Sequence, residues 1–235
     1  MRQVFLDTET TGLHADQGDR IIEFACVEYD NRRDTGRRLQ HYVNPGRSSH
    51  PDAVRVHGIT DEFLADKPPF ATVAAELLDF VAGADVVIHN ASFDLSFLDA
   101  ELARLNLPRF AQAAARITDS LQMAREMFPG KGNSLDALCR RLEVDNSKRD
   151  LHGALIDADL LAQVYLNMTR GQDSLVIDSS ESSRGPVSAG ALDLAAHELP
   201  VLLASAEELA AHELLLKDID LASSGQAVWR TSEVA

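Results

Sequence analysis

Apolar residues along the first 170 positions recur in two rhythms. Short runs rich in β-branched and aromatic residues occupy positions 4–9, 21–29, 39–43, 86–89 and, briefly, 117–118. Such runs read as strands. Elsewhere apolar positions return every three or four residues, over 71–81, 92–105, 120–127, 134–142 and 153–168, the spacing of amphipathic helices. Ser134 follows the breaker Gly130-Lys131-Gly132 and is suited to accept a hydrogen bond from the first turn of its helix. The polar, basic stretch 30–38 lies between the second and third strands and reads as a hairpin. A hairpin followed by helix–strand alternation predicts an α/β fold, a mixed β-sheet flanked by helices.

Beyond position 170 the rhythm breaks. Residues 178–186 are small, polar and nearly neutral, the composition of a flexible linker. A short apolar run over 199–204 precedes a helical pattern over 205–217, opened by Ser205 with Glu207 and Glu208 in its first turn. The predicted organisation is a main domain over 1–170, a linker segment over 171–190 and a flexible C-terminal tail over 191–235. The tail is too short to bury a core of its own. Its lone Trp229 reads as an anchor on a partner.

Chemistry enters where acids interrupt the apolar rhythm. Asp7 and Glu9 sit in Val4-Phe5-Leu6-Asp7-Thr8-Glu9, two apart on a predicted strand and so on one face. Two carboxylates held side by side repel unless a cation lies between them, and a hard divalent ion is the usual answer. Asp94 falls at the start of the helix that follows the fourth strand. His152 and Asp157 bracket the start of the last helix of the main domain. Five residues apart, they stand roughly 140° apart around an ideal helix. His152 is therefore expected from the loop or first turn, and Asp157 from the helix body.

The order Asp7-x-Glu9, Asn90-x-x-Phe93-Asp94, His152-x-x-x-x-Asp157 resembles the exonuclease superfamily with four catalytic acids and a histidine. Val56-His57-Gly58-Ile59-Thr60, Ser134-Leu135-Asp136-Ala137-Leu138-Cys139 and Asp145-Asn146-Ser147-Lys148-Arg149 are similar to one branch of it, the proofreading epsilon subunits of bacterial DNA polymerase III. The resemblance covers about residues 1–170. It implies a ribonuclease-H-like fold and a 3′→5′ DNA exonuclease that uses two divalent metal ions, Mg²⁺ with Mn²⁺ able to substitute. Asp7 would bridge both ions, Glu9 and Asp157 would hold the one on the nucleophile side, and Asp94 would support the other. His152 would be the general base. Thr10, Thr11, Gly12 and Leu13 follow the metal-binding strand and would meet the 3′-terminal nucleotide, as would Val56, His57, Asn90 and Phe93.

Two partner signals follow from the same resemblance. Gln172, Leu175 and Ile177 are similar to clamp-binding peptides of bacterial replication proteins, with Ile177 where an aromatic residue is usual. The tail over 191–235 would hold the polymerase catalytic subunit. The other functions weighed are a related exoribonuclease or oligonucleotidase, and a mainly structural polymerase subunit. A freestanding ribonuclease would not require the tail, and a scaffold has no need of clustered buried acids.

Charge modifies this picture more than overall composition does. The chain of 235 residues carries a formal net charge of −15, and phosphate binding draws on Lys and Arg. A strongly acidic protein repels DNA at long range, so weak binding alone and delivery of the DNA end by a partner are expected. The two cysteines, Cys26 and Cys139, lie in unrelated segments without metal-ligand spacing and read as buried thiols. No apolar run is long enough to span a membrane, and the acidic start does not resemble a signal peptide. A cytoplasmic protein is the default expectation.

Overall fold

A computed structural model describes residues 1–147, 151–170 and 204–223. The chain divides into two units, one through Ile177 and one from Asp178; each is taken by itself. The first unit is built on a five-stranded mixed sheet of β1 (Arg2–Thr10), β2 (Ile21–Asp30), β3 (Arg33–Tyr42), β4 (Asp85–Ile88) and β5 (Arg116–Asp119). Their order is β3-β2-β1-β4-β5. β1 and β2, and β2 and β3, pair antiparallel, whereas β4 runs parallel to β1 and to β5. Helices α1 (Pro51–His57), α2 (Asp61–Leu64) and α3 (Phe70–Val81) precede β4, α4 (Ala91–Arg104) follows it, and α5 (Ser120–Met127), α6 (Leu135–Arg141) and α7 (Ala154–Met168) follow β5.

Period-two alternation in β1 divides the core between the two faces of the sheet. Val4 and Leu6 pack with Leu77, Phe97 and Leu98 on the α3–α4 side. Phe5 packs with Leu138, Leu161 and Tyr165 on the α6–α7 side. Covering both faces explains why β1 reads as a nearly continuous apolar run. Asp7 and Glu9 continue the alternation of Phe5, which aims them toward α7.

In this unit the predicted strands and longer helices are present, with most ends shifted by a residue or two. The hairpin is corrected: only Asn31 and Arg32 form its turn, and β3 begins at Arg33 rather than 39. Both turn residues have positive φ, 47° and 64°, as a two-residue primed turn requires. Asn-Arg is a weaker signal for that turn than Asn-Gly, and residues 33–37 are exposed, so no apolar alternation marked the strand. α1 and α2 were not anticipated: α1 buries His57 and no apolar side chain, and the four residues of α2 are too few to display a helical period.

In the second unit the described residues form α8 (Ala206–Ala222). Ser205 and Glu208 cap it reciprocally, each side chain bonded to the other residue's backbone N–H, as the predicted start implies. The clamp-like residues Gln172, Leu175 and Ile177, the linker and Trp229 lie outside the described residues. Among the described residues no helix is long and apolar enough to cross a membrane. Cys26 and Cys139 are both buried, as expected.

Candidate active site

The acids converge where β1, β4 and β5 end, the edge at which open α/β sheets place ligands. Glu9 lies directly opposite Glu23 of β2, and the register slips immediately after that pair, an irregularity of the kind that re-aims side chains beside active sites. Glu9, His152 and Asp157 each offer a ligand atom within 4.8 Å of the others. Asp7 lines a cavity of about 570 Å³ together with His152 and Asp157. Carboxylate oxygens around one imidazole form a donor set suited to a divalent metal ion.

His152 lies two residues before α7, in the loop where it was expected, and Asp157 lies in the helix. The loop brings them together despite their angular offset: His152 Nδ1 is 3.1 Å from Asp157 Oδ2. The His152 N–H also donates to the Val56 carbonyl at 3.1 Å, tying this loop to α1. Asp157 is almost fully buried, while 43% of the His152 side chain remains exposed. An exposed imidazole backed by a buried carboxylate is oriented by one ring nitrogen and presents the other to the cavity.

Asp94 enters from the first turn of α4. It is buried and accepts a hydrogen bond of 2.7 Å from Thr8 Oγ1, so the residue between Asp7 and Glu9 reaches it from the opposite face of β1. Burial, together with the nearby Asp119 charge, pushes the Asp94 carboxyl up to about 7 against the pull of Thr8. A cation beside it would favour the ionised form instead.

The proposed substrate contacts divide. Thr10 donates to the Gly12 carbonyl and Thr11 to Asp19; both are buried, and the Thr11 N–H is held by the Arg20 carbonyl. These two therefore shape the loop through their side chains. Gly12 has a packing reason: an added Cβ would fall 2.3 Å from Asp19 Oδ2. Leu13 is 72% exposed and Val56 48%, and both border a second cavity of about 680 Å³. His57 is buried, with Nδ1 accepting from the Ile59 N–H and Nε2 in no well-formed hydrogen bond. Burial lowers its pKa, and the nearby Thr10 carbonyl offsets this in part. Asn90 lines the same cavity as Asp7, in a left-handed conformation at the start of α4. Phe93 is partly buried against Phe97, ring centroids 5.0 Å apart.

Two acids escaped the sequence reading. Glu23 is buried and accepts from Gln40 at 2.7 Å and from the Ala154 N–H at 3.2 Å. It thereby holds the start of α7, between His152 and Asp157, against β2. Burial raises its pKa, and Asp157 adds to that rise. Asp119 accepts from the N–H groups of Asn90, Ala91, Leu121 and Gln122, joining the starts of α4 and α5 through one carboxylate. A helix start lacks intrahelical acceptors for its first N–H groups, and these acids supply them. Glu23 interrupts the run Ile21-Ile22-Glu23-Phe24 as Asp7 interrupts its own, which was the available signal.

Comparison with known proteins places the site in context. A family model described as exonuclease matches residues 4–165. The DNA polymerase III subunit epsilon of Salmonella typhimurium is 49% identical over 97% of both chains, and that of Escherichia coli K12 is 48% identical over the same shares. Among solved structures, Exonuclease X in complex with 5′ overhanging duplex DNA matches at TM-score 0.55 and 28% identity, over 71% of this chain and 90% of that one. Escherichia coli Exonuclease I with a dT13 oligonucleotide shares the fold at TM-score 0.65 and 22% identity, over 74% of this chain and 42% of that one.

Proposed function

Because the chain belongs to the exonuclease family, in the branch of DNA polymerase III epsilon subunits, we propose that it removes nucleotides from the 3′ end of DNA and proofreads for a replicative polymerase. The observation that carries this reading is the meeting of Glu9, His152 and Asp157 within 4.8 Å, beside Asp7 in one cavity. Asp94 is tied to the same strand through Thr8.

The reading assigns Asp7, Glu9, Asp94 and Asp157 to two Mg²⁺ ions, with Mn²⁺ as a substitute. When bound, such ions supply Lewis acidity to the phosphodiester and lower the pKa of the attacking water. His152 takes the proton from that water through Nε2, while Asp157 holds Nδ1 and steadies the imidazolium that forms. Leu13 and Val56, exposed on the second cavity, bear on the terminal nucleoside and exclude water from it. Thr10, Thr11 and Gly12 fix the loop that presents Leu13. The product is a nucleoside 5′-monophosphate and a strand with a new 3′-hydroxyl. No recognition of base identity is required, because a mispaired end frays at lower cost than a paired one.

The polymerase catalytic subunit is the expected partner of the tail over 191–235, and the sliding clamp that of Gln172, Leu175 and Ile177. Both belong to a protein working in the cytoplasm. The test is nucleotide release from a 3′-mispaired primer–template and from an RNA oligonucleotide, each in Mg²⁺ and in EDTA. Metal-dependent release from DNA that exceeds release from RNA supports the reading. Brisk cleavage of RNA with none of DNA overturns it.

A further inference from the structure

The net charge of −15 leaves unanswered how an acidic chain holds an acidic strand. Two cations face the cavity that holds Asp7, His152 and Asp157: Arg125 from α5 and Lys131 from the loop between α5 and α6. Both are exposed. Neither forms an ion pair with another described residue.

Their backbones are held in place. The Arg141 guanidinium lies 4.7 Å over the Phe128 ring and donates to the Gly132 carbonyl and to Asn133 Oδ1. The Lys131 N–H donates to the Phe128 carbonyl at 3.2 Å. Asp119 caps α5, and Ala124, next to Arg125, is buried. Two long cationic side chains therefore project from fixed positions onto the cavity that also holds Asp7 and Asp157. A solvated surface pair would not need such a braced loop.

Direction along the strand follows from the reading above, on which this inference rests. On that reading the attacking water lies beside His152, so the leaving 3′-oxygen, and the upstream strand attached to it, departs on the side of the phosphorus away from His152. His89, Asn90, Arg125 and Lys131 line the same cavity as His152. We infer that Arg125 and Lys131 grip the backbone phosphates of the strand upstream of the scissile bond, and that this local pair of cations offsets the unfavourable net charge. The ligand class is the polyanionic backbone of a single strand, without regard to base.

The test uses the full chain with a fluorescent dT oligomer carrying 3′-terminal phosphorothioates, its affinity read by anisotropy over a range of salt concentrations. Arg125→Ala and Lys131→Ala should each weaken binding about three- to tenfold and flatten the slope of log affinity against log salt by about 0.7, as loss of one single-strand phosphate contact does. Arg125→Glu should weaken binding further. In steady-state assays the loss on the unmodified oligomer should exceed that on the p-nitrophenyl ester of thymidine 5′-monophosphate, which has no upstream phosphate. Unchanged affinity and slope, or equal losses on the two substrates, would overturn the inference. Wild-type binding with these slopes but without nucleotide release would uphold the grip and overturn the exonuclease reading.

Discussion

Asp94→Asn should make the metal-free protein more stable while removing its activity. The reason lies in the burial of Asp94, which pushes its carboxyl from 3.8 up to about 7. A carboxyl raised on folding adds stability below the unfolded value, near pH 4, and that contribution is lost as pH rises through about 7. Above pH 7 the folded chain carries a buried charge, and the difference is worth at most about 4 kcal/mol at ~1.4 kcal/mol per tenfold change. An amide at the same position removes the charge and can still accept from Thr8. Relaxation around the ionised form reduces the ceiling, so a gain of about 2–4 kcal/mol is expected, roughly 4–16 °C in Tm for a domain of this size. The assay is thermal unfolding in EDTA from pH 4 to 8, parent against variant. Glu23 is raised in the same direction, so the difference between the two curves, rather than either curve alone, isolates Asp94. A variant no more stable than its parent at pH 8, or a difference that does not grow between pH 4 and 7, would refute the reasoning.

Substitutions at three further positions test how the site is supported. Glu23→Ala strands the Ala154 N–H and Gln40 and should cost about 1–3 kcal/mol in unfolding, with kcat lowered more than KM is raised; Glu23→Gln should restore most of kcat. Asp119→Ala leaves four N–H groups at two helix starts without their acceptor, and should lower Tm by at least as much as the loss of one cap, about 1–2 kcal/mol. Gly12→Ala drives a methyl into the Asp19 carboxylate, so the loop bearing Leu13 should shift, at a cost of about 1–3 kcal/mol and with KM for oligonucleotides raised.

Much of this was legible because β1 states its own problem: Asp7 and Glu9 stand where the pattern calls for apolar side chains, and period two puts them on one face. The helices that announce themselves by spacing include those that bury an apolar stripe, α3, α4, α7 and the short α6. α1 and α2 are fixed instead by local caps, His50 with Pro51 and then Thr60, which carry no period. The supporting shell was harder to see. Thr8, Glu23 and Asp119 act across 86, 131 and 28 residues of chain respectively, and no local rule pairs positions so distant. His152 and Asp157 were correctly kept off one helix face, yet the loop before α7 still lets them meet.

The most direct test of the central claim is mass spectrometry of the product released from a 3′-mispaired primer–template in ¹⁸O-labelled water with Mg²⁺, wild type against Asp7→Ala. The account predicts a primer shortened by its terminal nucleotide and a nucleoside 5′-monophosphate carrying a single ¹⁸O, with neither product from the Asp7→Ala chain. Release undiminished by Asp7→Ala, or a product that retains a 3′-phosphate, would contradict it.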